Sequence, residues 1–155
     1  MKKTTVLNSE RIRRIITRIA HQSIEACNGE GTLVVVGIQP RGPWVARQIA
    51  AAIEEMSDIQ CEIIEYKSDD ALEEQRLENK RVLLVDDIVN SGTTMMRAAG
   101  AIAQCGAAHV MTACLVDRMH RMFPISMDFT GLSLATTLQE HLKLMLGRHP
   151  TIILE

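Results

Sequence analysis

Residues 81–99 read RVLLVDDIVNSGTTMMRAA, and this stretch decides the fold class. Four aliphatic residues at 82–85 are followed directly by Asp86 and Asp87, and then by a turn rich in small polar residues. An aliphatic run without alternation is typical of a strand that is buried on both faces of a parallel sheet. The turn opens a stretch with helical spacing, so the segment predicts a buried strand, a polar loop and a helix.

Buried strands and amphipathic helices alternate along most of the chain. The predicted strands cover residues 32–38, 61–66, 81–87 and 108–116. The predicted helices run from a cap at Asn8 or Ser9 to about residue 28, from Pro43 to Ser57, and over 93–105. This order predicts an α/β fold with a doubly wound, mostly parallel sheet. Residues before Asn8 read as a polar leader, and 117–155 as a less regular tail with a small hood or hairpin from 142–146 and 151–154.

The composition sets limits on size, partners and compartment. The 155 residues, 46% of them hydrophobic, suit a single domain over 1–155. A net charge of −2 gives no global attraction to nucleic acid or anionic lipid. No apolar run approaches the ~18 residues of a membrane span, and the first residues lack a signal-peptide core, so we expect a cytoplasmic protein with no membrane partner. The scattered cysteines read as reduced thiols.

The polar loop after residues 81–87 has the chemistry of a phosphate site. In open α/β sheets, ligands bind outside the carboxyl ends of the strands. Gly92 lets a ligand approach the backbone. Hydroxyls and main-chain N–H groups at the start of the helix come from Ser91, Thr93 and Thr94. Asp86 and Asp87 lie too close to a phosphate unless a divalent cation or sugar hydroxyls intervene. Together, the acid pair and the polar loop indicate a binding site for a phosphorylated sugar. The alternative is an ordinary helix cap beside two solvated aspartates.

Two other phosphate-binding motifs are excluded because the sequence lacks the residues they require at the required positions. A Walker loop requires GxxxxGK[ST], and no lysine follows such a glycine pair here. A dinucleotide fingerprint requires GxGxxG after a strand, whereas Gly29 and Gly31 precede one.

The stretch VLLVDDIVNSGTT resembles the thirteen-residue phosphoribosyl pyrophosphate (PRPP) signature of type I phosphoribosyltransferases. More narrowly, the chain is similar to the pyrimidine operon attenuation protein and uracil phosphoribosyltransferase family. The segments that carry this similarity are LNSERIRRIITRIAHQSIE, VGIQPRGPWVARQIA and LVDRMHRMFPISMDFTG, in collinear order over most of the chain. The resemblance implies transfer of the 5-phosphoribosyl group from PRPP to a pyrimidine base, uracil, with Mg²⁺ as cofactor. The products would be a nucleoside monophosphate and pyrophosphate.

The resemblance also implies a role for each matching residue. Asp86 and Asp87 would contact the ribose hydroxyls and bound Mg²⁺. The 5-phosphate would be held by Asn90, Ser91, Gly92, Thr93 and Thr94. The pyrophosphate would meet Arg41 and its neighbours Gln39, Pro40 and Gly42. The base would be lined by Val116, Asp117 and Arg118.

Alternatives remain open for several of these residues. Arg41 could be an ordinary surface arginine. Arg118 could form a surface pair with Asp117 or a loop-stabilising contact. His120 and Arg121 are weaker candidates, because a histidine in a polar loop usually has no catalytic role. Pro40 stands where the family usually has threonine, which removes a hydroxyl and an N–H and makes a cis bond after Gln39 less costly.

The chain departs from the family at residues 67–80, KSDDALEEQRLENK. The family has a long mobile loop here that closes over the reactants, whereas this acidic stretch, which includes Asp69 and Asp70, reads as a short exposed loop or frayed helix. Two hypotheses follow. The protein is either a phosphoribosyltransferase, or a regulator that senses PRPP or a nucleotide without efficient catalysis.

The family's second activity is RNA binding. Arg11, Arg14 and Arg18 share one helical face and could contact RNA phosphates. A solvated face or a dimer contact is the favoured alternative, and the chain has few aromatic residues on which bases could stack. The apolar amino-terminal helix and the resemblance together suggest a homodimer or homotetramer.

Overall fold

The computed structural model describes residues 2–68, 71–137 and 139–155. Its strands are β1 (Thr4–Leu7), β2 (Thr32–Ile38), β3 (Gln60–Tyr66), β4 (Arg81–Val89), β5 (His109–Asp117), β6 (Phe129–Ser133), β7 (Leu142–Met145) and β8 (Thr151–Leu154). Its helices are α1 (Ser9–Ala26), α2 (Gly42–Met56), α3 (Glu74–Leu77) and α4 (Thr93–Gln104). Within the described residues, no helix is both long and apolar enough to cross a bilayer.

The central sheet has five parallel strands in the order β3-β2-β4-β5-β6. Its two faces bury alternate residues of β2 and β4, as the two-residue repeat of a strand requires. Leu33 and Val35 pack in the cluster with α1 and α2, whereas Val34 and Val36 pack in the cluster with α4. Residues 82–85 of the middle strand are fully buried. The predicted doubly wound sheet is confirmed.

A second sheet has three antiparallel strands in the order β1-β8-β7, and we call it the hood. The predicted hairpin is present as β7 and β8. The supposed polar leader is its third strand, because Leu7 turns into the core while Thr4 and Thr5 stay exposed. Leu7, Leu144 and Ile152 are fully buried in the same cluster as α1 and α2, so hood and central sheet share one core.

The predicted elements match the structure closely, with differences at the ends of strands. β2 has the predicted bounds, and the cap of α1 is Asn8, whose side chain accepts a hydrogen bond from Arg11 N–H at 2.9 Å. β4 and β5 run further than predicted because their pairing continues to Val89 and Asp117. β6 was not predicted, since its sequence FTGLS has neither an aliphatic run nor a clear alternation.

The order of the strands reverses between β2 and β4, and there the backbones come into contact. A Cβ on Gly37 would lie 2.5 Å from Pro43 Cα, and one on Gly42 would lie 2.8 Å from the Val85 carbonyl oxygen. The end of β2, the first turn of α2 and the end of β4 therefore pack without intervening side chains. The loops that follow β2 and β4 emerge side by side at this switch point.

Helix α1 closes the far edge of the sheet by packing on β6. A Cβ on Gly131 would overlap the Leu115 carbonyl oxygen and lie 2.5 Å from Ile15 Cγ2. Arg18 donates hydrogen bonds to the carbonyl oxygens of Thr130 at 3.0 Å and Gly131 at 2.7 Å. This arginine therefore joins α1 to the outer strand.

We predict that Gly131→Ala destabilises the protein by about 1–3 kcal/mol, because α1 must move away from β6 to admit the methyl group. Gly100→Ala is the matched control. Gly100 lies in α4 with no atom within 4 Å of an added Cβ, so alanine should stabilise by roughly 0.5–1 kcal/mol through helix propensity. Urea unfolding measures both changes, and equal effects of the two substitutions would contradict the packing argument.

Candidate functional site

Residues 90–94, which we call the phosphate loop, connect β4 to α4. Gly92 has a φ of +86° and occupies the cap position of α4, a conformation that favours glycine. The hydroxyls of Ser91 and Thr93 share a hydrogen bond at 2.8 Å, and Thr93 N–H donates to Ser91 Oγ at 3.3 Å. Residues 90–94 line a cavity of about 190 Å³ together with Asp86, Ile88, Val89 and Met95. The structure thus brings Asp86 together with residues 90–94, the predicted 5-phosphate site, whereas Gln39, Pro40 and Gly42 do not line this cavity.

The acid pair lies within β4, just before the phosphate loop. Asp87 N–H donates to Asp86 Oδ1 at 2.8 Å. Burial raises the pKa of Asp86 well above its ordinary value; the side chain and charge of Asp87 add to this effect, whereas the bond from Asp87 N–H opposes it. A neutral or cation-bound Asp86 is therefore favoured over a free carboxylate.

The donor set suits Mg²⁺ better than a metal that requires a cage of side chains. Among the described residues, no cluster of three or more His, Cys, Asp or Glu side chains could hold a metal. Mg²⁺ is usually bound by one or two carboxylates together with water and substrate phosphates. Asp86 and Asp87 offer that partial set.

The loop after β2 contains Gln39, Pro40 and Arg41. The bond between Gln39 and Pro40 is cis. Gln39 N–H donates to the Tyr66 carbonyl at 2.9 Å, which ties the loop to the end of β3. Arg41 is half-buried, and its Nε donates to the Leu144 carbonyl oxygen of the hood at 2.7 Å. This contact does not fit the alternative of a free surface arginine.

Arg118, predicted at the base site, is a buried anchor with 5% exposure. Its Nε donates to Thr136 Oγ1 at 2.7 Å, and its Nη2 donates to the carbonyl oxygens of Thr137 at 2.9 Å and Glu140 at 2.6 Å. Asp117 pairs with Arg121 rather than with Arg118. Of the two alternatives, the loop-stabilising contact is therefore present, and the Arg118 guanidinium fixes the segment that leads into the hood.

A larger cavity of about 660 Å³ opens beside the phosphate loop. It is lined by Asn90, Ser91, Arg118, Met119, His120, Arg121, Met122 and His141. It shares Asn90 and Ser91 with the smaller cavity. A third cleft of about 580 Å³, between α1, α2 and the turn of the hood, contains none of the predicted site residues.

Residues 71–80 lie along the edge strand β3. Leu77 of α3 is fully buried, and Arg76 donates to Glu62 Oε1 at 2.6 Å and to the Ile63 carbonyl at 3.3 Å. None of the described residues of this segment lines either of the two adjoining cavities. The short helix is thus a packed element rather than an open loop; Asp69 and Asp70 lie outside the described residues.

Sequence reasoning gave no role to His141 and little weight to Arg121. His141 reaches the larger cavity only because the hood folds back towards the sheet. Arg121 contacts Asn90, which is 31 positions earlier in the chain. No local sequence pattern reports either placement.

The comparisons with known proteins agree with this geometry. The model of the phosphoribosyl transferase domain matches residues 3–141. The chain belongs to this family. It is 37% identical over 162 residues to the bifunctional protein PyrR of Clostridium novyi, covering 94% of this chain and 91% of the relative. The bifunctional protein PyrR of Deinococcus radiodurans is 35% identical, with 93% and 88% covered. The family predicted from the sequence is confirmed.

Solved structures show the same fold. The hypoxanthine phosphoribosyltransferase of Trypanosoma cruzi superposes with a TM-score of 0.70 at 20% identity, covering 84% of this chain and 81% of that one. A hypoxanthine-guanine phosphoribosyltransferase from Bacillus anthracis gives a TM-score of 0.72 at 18% identity, covering 86% and 84%. At this identity, the likeness supports the type I phosphoribosyltransferase fold of the chain.

We predict that Asp86→Asn makes the metal-free protein more stable at pH 7. A carboxyl whose pKa is raised in the folded state stabilises the fold at pH values below its unfolded-state pKa of 3.8. This contribution is lost as the pH rises through the folded-state pKa. Asparagine retains the acceptor for Asp87 N–H without the charge. The increase in the free energy of unfolding should therefore be large at pH 7 and small near pH 4, as measured by urea unfolding in EDTA.

The exposed Asp58 supplies the control for this experiment. Asp58→Asn should change stability by less than about 0.5 kcal/mol at both pH values. A gain for Asp86→Asn that did not vary with pH would refute burial of the charge as the cause.

Proposed function

We propose that this protein transfers the 5-phosphoribosyl group from PRPP to a pyrimidine base, uracil by resemblance, and releases a nucleoside monophosphate and pyrophosphate. One observation carries the proposal: the small polar cavity lined by Asp86 and the phosphate loop shares Asn90 and Ser91 with the larger cavity, which Arg118 lines. Such an arrangement suits a phosphate, a ribose diol and a base in that order. Family membership supports the reaction class, and the uracil specificity rests on the sequence resemblance.

In the proposed reaction, a ring nitrogen of the base forms a bond to the anomeric carbon of the ribose. The bond from that carbon to the pyrophosphate oxygen breaks, its electron pair leaves with pyrophosphate, and the attacking nitrogen loses its proton to solvent. The transition state resembles an oxocarbenium ion, so catalysis requires positioning and stabilisation of charge rather than a covalent nucleophile.

Each loop has a separate task in this scheme. The N–H and hydroxyl groups of the phosphate loop hold the 5-phosphate at the amino terminus of α4. Asp86 and Asp87 hold the ribose hydroxyls. Arg41, steadied by the hood through Leu144, meets the pyrophosphate. Val116, Asp117 and Arg118 border the base, and Arg118 N–H is already bonded to the Val89 carbonyl at 2.9 Å, which fixes the backbone of this wall.

Asp86 and Asp87 would hold Mg²⁺, directly or through water. When bound, the ion supplies positive charge that stabilises the departing pyrophosphate. Burial disfavours a free charge on Asp86, and a cation beside it would relieve that penalty.

One observation favours the second candidate, a regulator that binds PRPP or a nucleotide with little turnover. Within residues 71–80, Arg76 is bonded to β3, on the opposite side of β2 from β4 and its phosphate loop. A closing loop excludes water and completes an active site. Turnover by this chain therefore depends on a site that is already formed, or on a partner subunit in the homodimer or homotetramer that we expect.

RNA remains the less favoured partner. On the arginine face of α1, Arg18 is bonded to Thr130 and Gly131, and Arg14 pairs with Glu10 at 2.6 Å. These contacts give the face a structural use, so it does not by itself support phosphate binding.

All four cysteines are thiols, in keeping with the cytoplasmic location proposed from the sequence.

We predict that the protein releases pyrophosphate when incubated with PRPP, Mg²⁺ and uracil, and that Asp87→Asn lowers this rate by roughly 100-fold or more through loss of charge stabilisation. Asp58→Asn, on the surface, should retain the rate. Thermal stabilisation by PRPP without pyrophosphate release would favour the regulator. Neither stabilisation by PRPP or any mononucleotide nor turnover would refute both candidates.

A further inference from the structure

Arg121 lies in the connection between β5 and β6, residues 118–128, which we call the β5–β6 loop. All three of its guanidinium nitrogens donate hydrogen bonds. Nη1 bonds the Asn90 carbonyl oxygen at 2.8 Å, Nε the Ile125 carbonyl oxygen at 2.8 Å, and Nη2 bonds Asp117 Oδ2 at 2.7 Å. The Arg121 side chain is 23% exposed and that of Asp117 13%. A half-buried arginine that bonds through all three of its nitrogens joins the phosphate loop to the wall of the larger cavity.

The β5–β6 loop also packs against the outer side of the phosphate loop. A Cβ on Gly92 would overlap Ile125 Cγ2 and lie 3.0 Å from Arg121 Cδ. The N–H groups of Met122 and Phe123 donate to the Ser91 carbonyl oxygen at 2.9 and 3.3 Å. Two successive carbonyl groups of the phosphate loop, those of Asn90 and Ser91, are therefore held by residues 121–123.

Holding these carbonyl groups also orients the next N–H groups. In a trans peptide, the C=O of one residue and the N–H of the next lie in one plane and point in opposite directions. The N–H groups of Ser91 and Gly92 therefore point away from the β5–β6 loop. The 190 Å³ cavity is lined by the phosphate loop but not by residues 121–125. Two successive N–H groups that point to the same side can form an anion-binding concavity.

We propose that Arg121 is a positioning residue: it fixes the phosphate loop so that the Ser91 and Gly92 N–H groups face the 5-phosphate. Through Asp117, it also joins this loop to the base side of the site. The proposal rests on the proposed function and extends it. Arg121 does not touch the reacting atoms; it acts through the Asn90 carbonyl.

The test uses Arg121→Gln and Arg121→Lys, with Arg13→Gln, an exposed arginine of α1, as the matched control. Calorimetry with Mg²⁺ measures affinity for PRPP and for uridine 5′-monophosphate, and ligand-observed NMR at millimolar concentration measures uridine. Both Arg121 variants should lose at least ~10-fold in affinity for the two phosphorylated ligands, because neither the amide of glutamine nor the single nitrogen of lysine reproduces the planar fork that reaches three separated acceptors. Uridine affinity should fall by clearly less than that of the two phosphorylated ligands, since uridine has no phosphate and can lose only what depends on the Arg121–Asp117 contact. Arg13→Gln should match the wild type.

Amide hydrogen exchange tests the same contact without a ligand. The N–H groups of Met122 and Phe123 should exchange at least ~10-fold faster in both Arg121 variants, while residues of α1 and α2 keep their wild-type rates. This local effect separates positioning from global destabilisation.

The outcomes distinguish the two proposals. Unchanged affinity for both phosphorylated ligands, an equal loss for uridine, or unchanged exchange at Met122 and Phe123 would overturn the role of Arg121. Should uridine bind neither wild type nor variant, the phosphorylated ligands and the exchange rates decide. A wild-type protein that binds neither PRPP nor the nucleotide overturns the proposed function instead, whatever the exchange data show.

Discussion

The contact of three backbone segments at the switch point determines the rest of the site. Gly37 and Gly42 have no room for a Cβ, because the end of β2, the start of α2 and the end of β4 touch one another. Any side chain there would push α2 away from the sheet. The loops that carry Arg41 and the phosphate loop would then separate, and Arg41 would lose its bond to the hood. The relative position of the two proposed ends of PRPP is therefore set by main-chain packing.

Three arginines fix the loops of the site by hydrogen bonds to neighbouring segments. Arg118 bonds Thr136, Thr137 and Glu140. Arg41 bonds the hood, and Arg121 bonds the phosphate loop. Their acceptors are mainly carbonyl oxygens, which stay charge-neutral, so each loop is fixed without a counter-ion at every contact. Asp86 is the exception, because its ionisable carboxyl group is buried. Its burial opposes stability, as expected where a group serves a ligand rather than the fold.

Local patterns predicted the central strands, the helices and the phosphate loop, because burial and helix starts leave signals within a few residues. The bounds of β2 and the cap of α1 agree with the structure. The features that were missed depend on distant partners. β1 becomes a strand only by pairing with β8 at the other end of the chain, and β6 only by pairing with β5. Arg18, expected on a solvated face, a dimer contact or an RNA-binding patch, bonds a strand more than a hundred positions away.

Arg18 and Arg76 occupy equivalent places at the two margins of the central sheet. Arg18 bonds carbonyl groups of β6, and Arg76 bonds a carbonyl group of β3. Unprotected outer strands can recruit a strand from another molecule and so begin aggregation. A guanidinium group on each margin obstructs that kind of growth. Each outer strand of the central sheet thus carries a long cationic side chain where the strand of another molecule would otherwise pair.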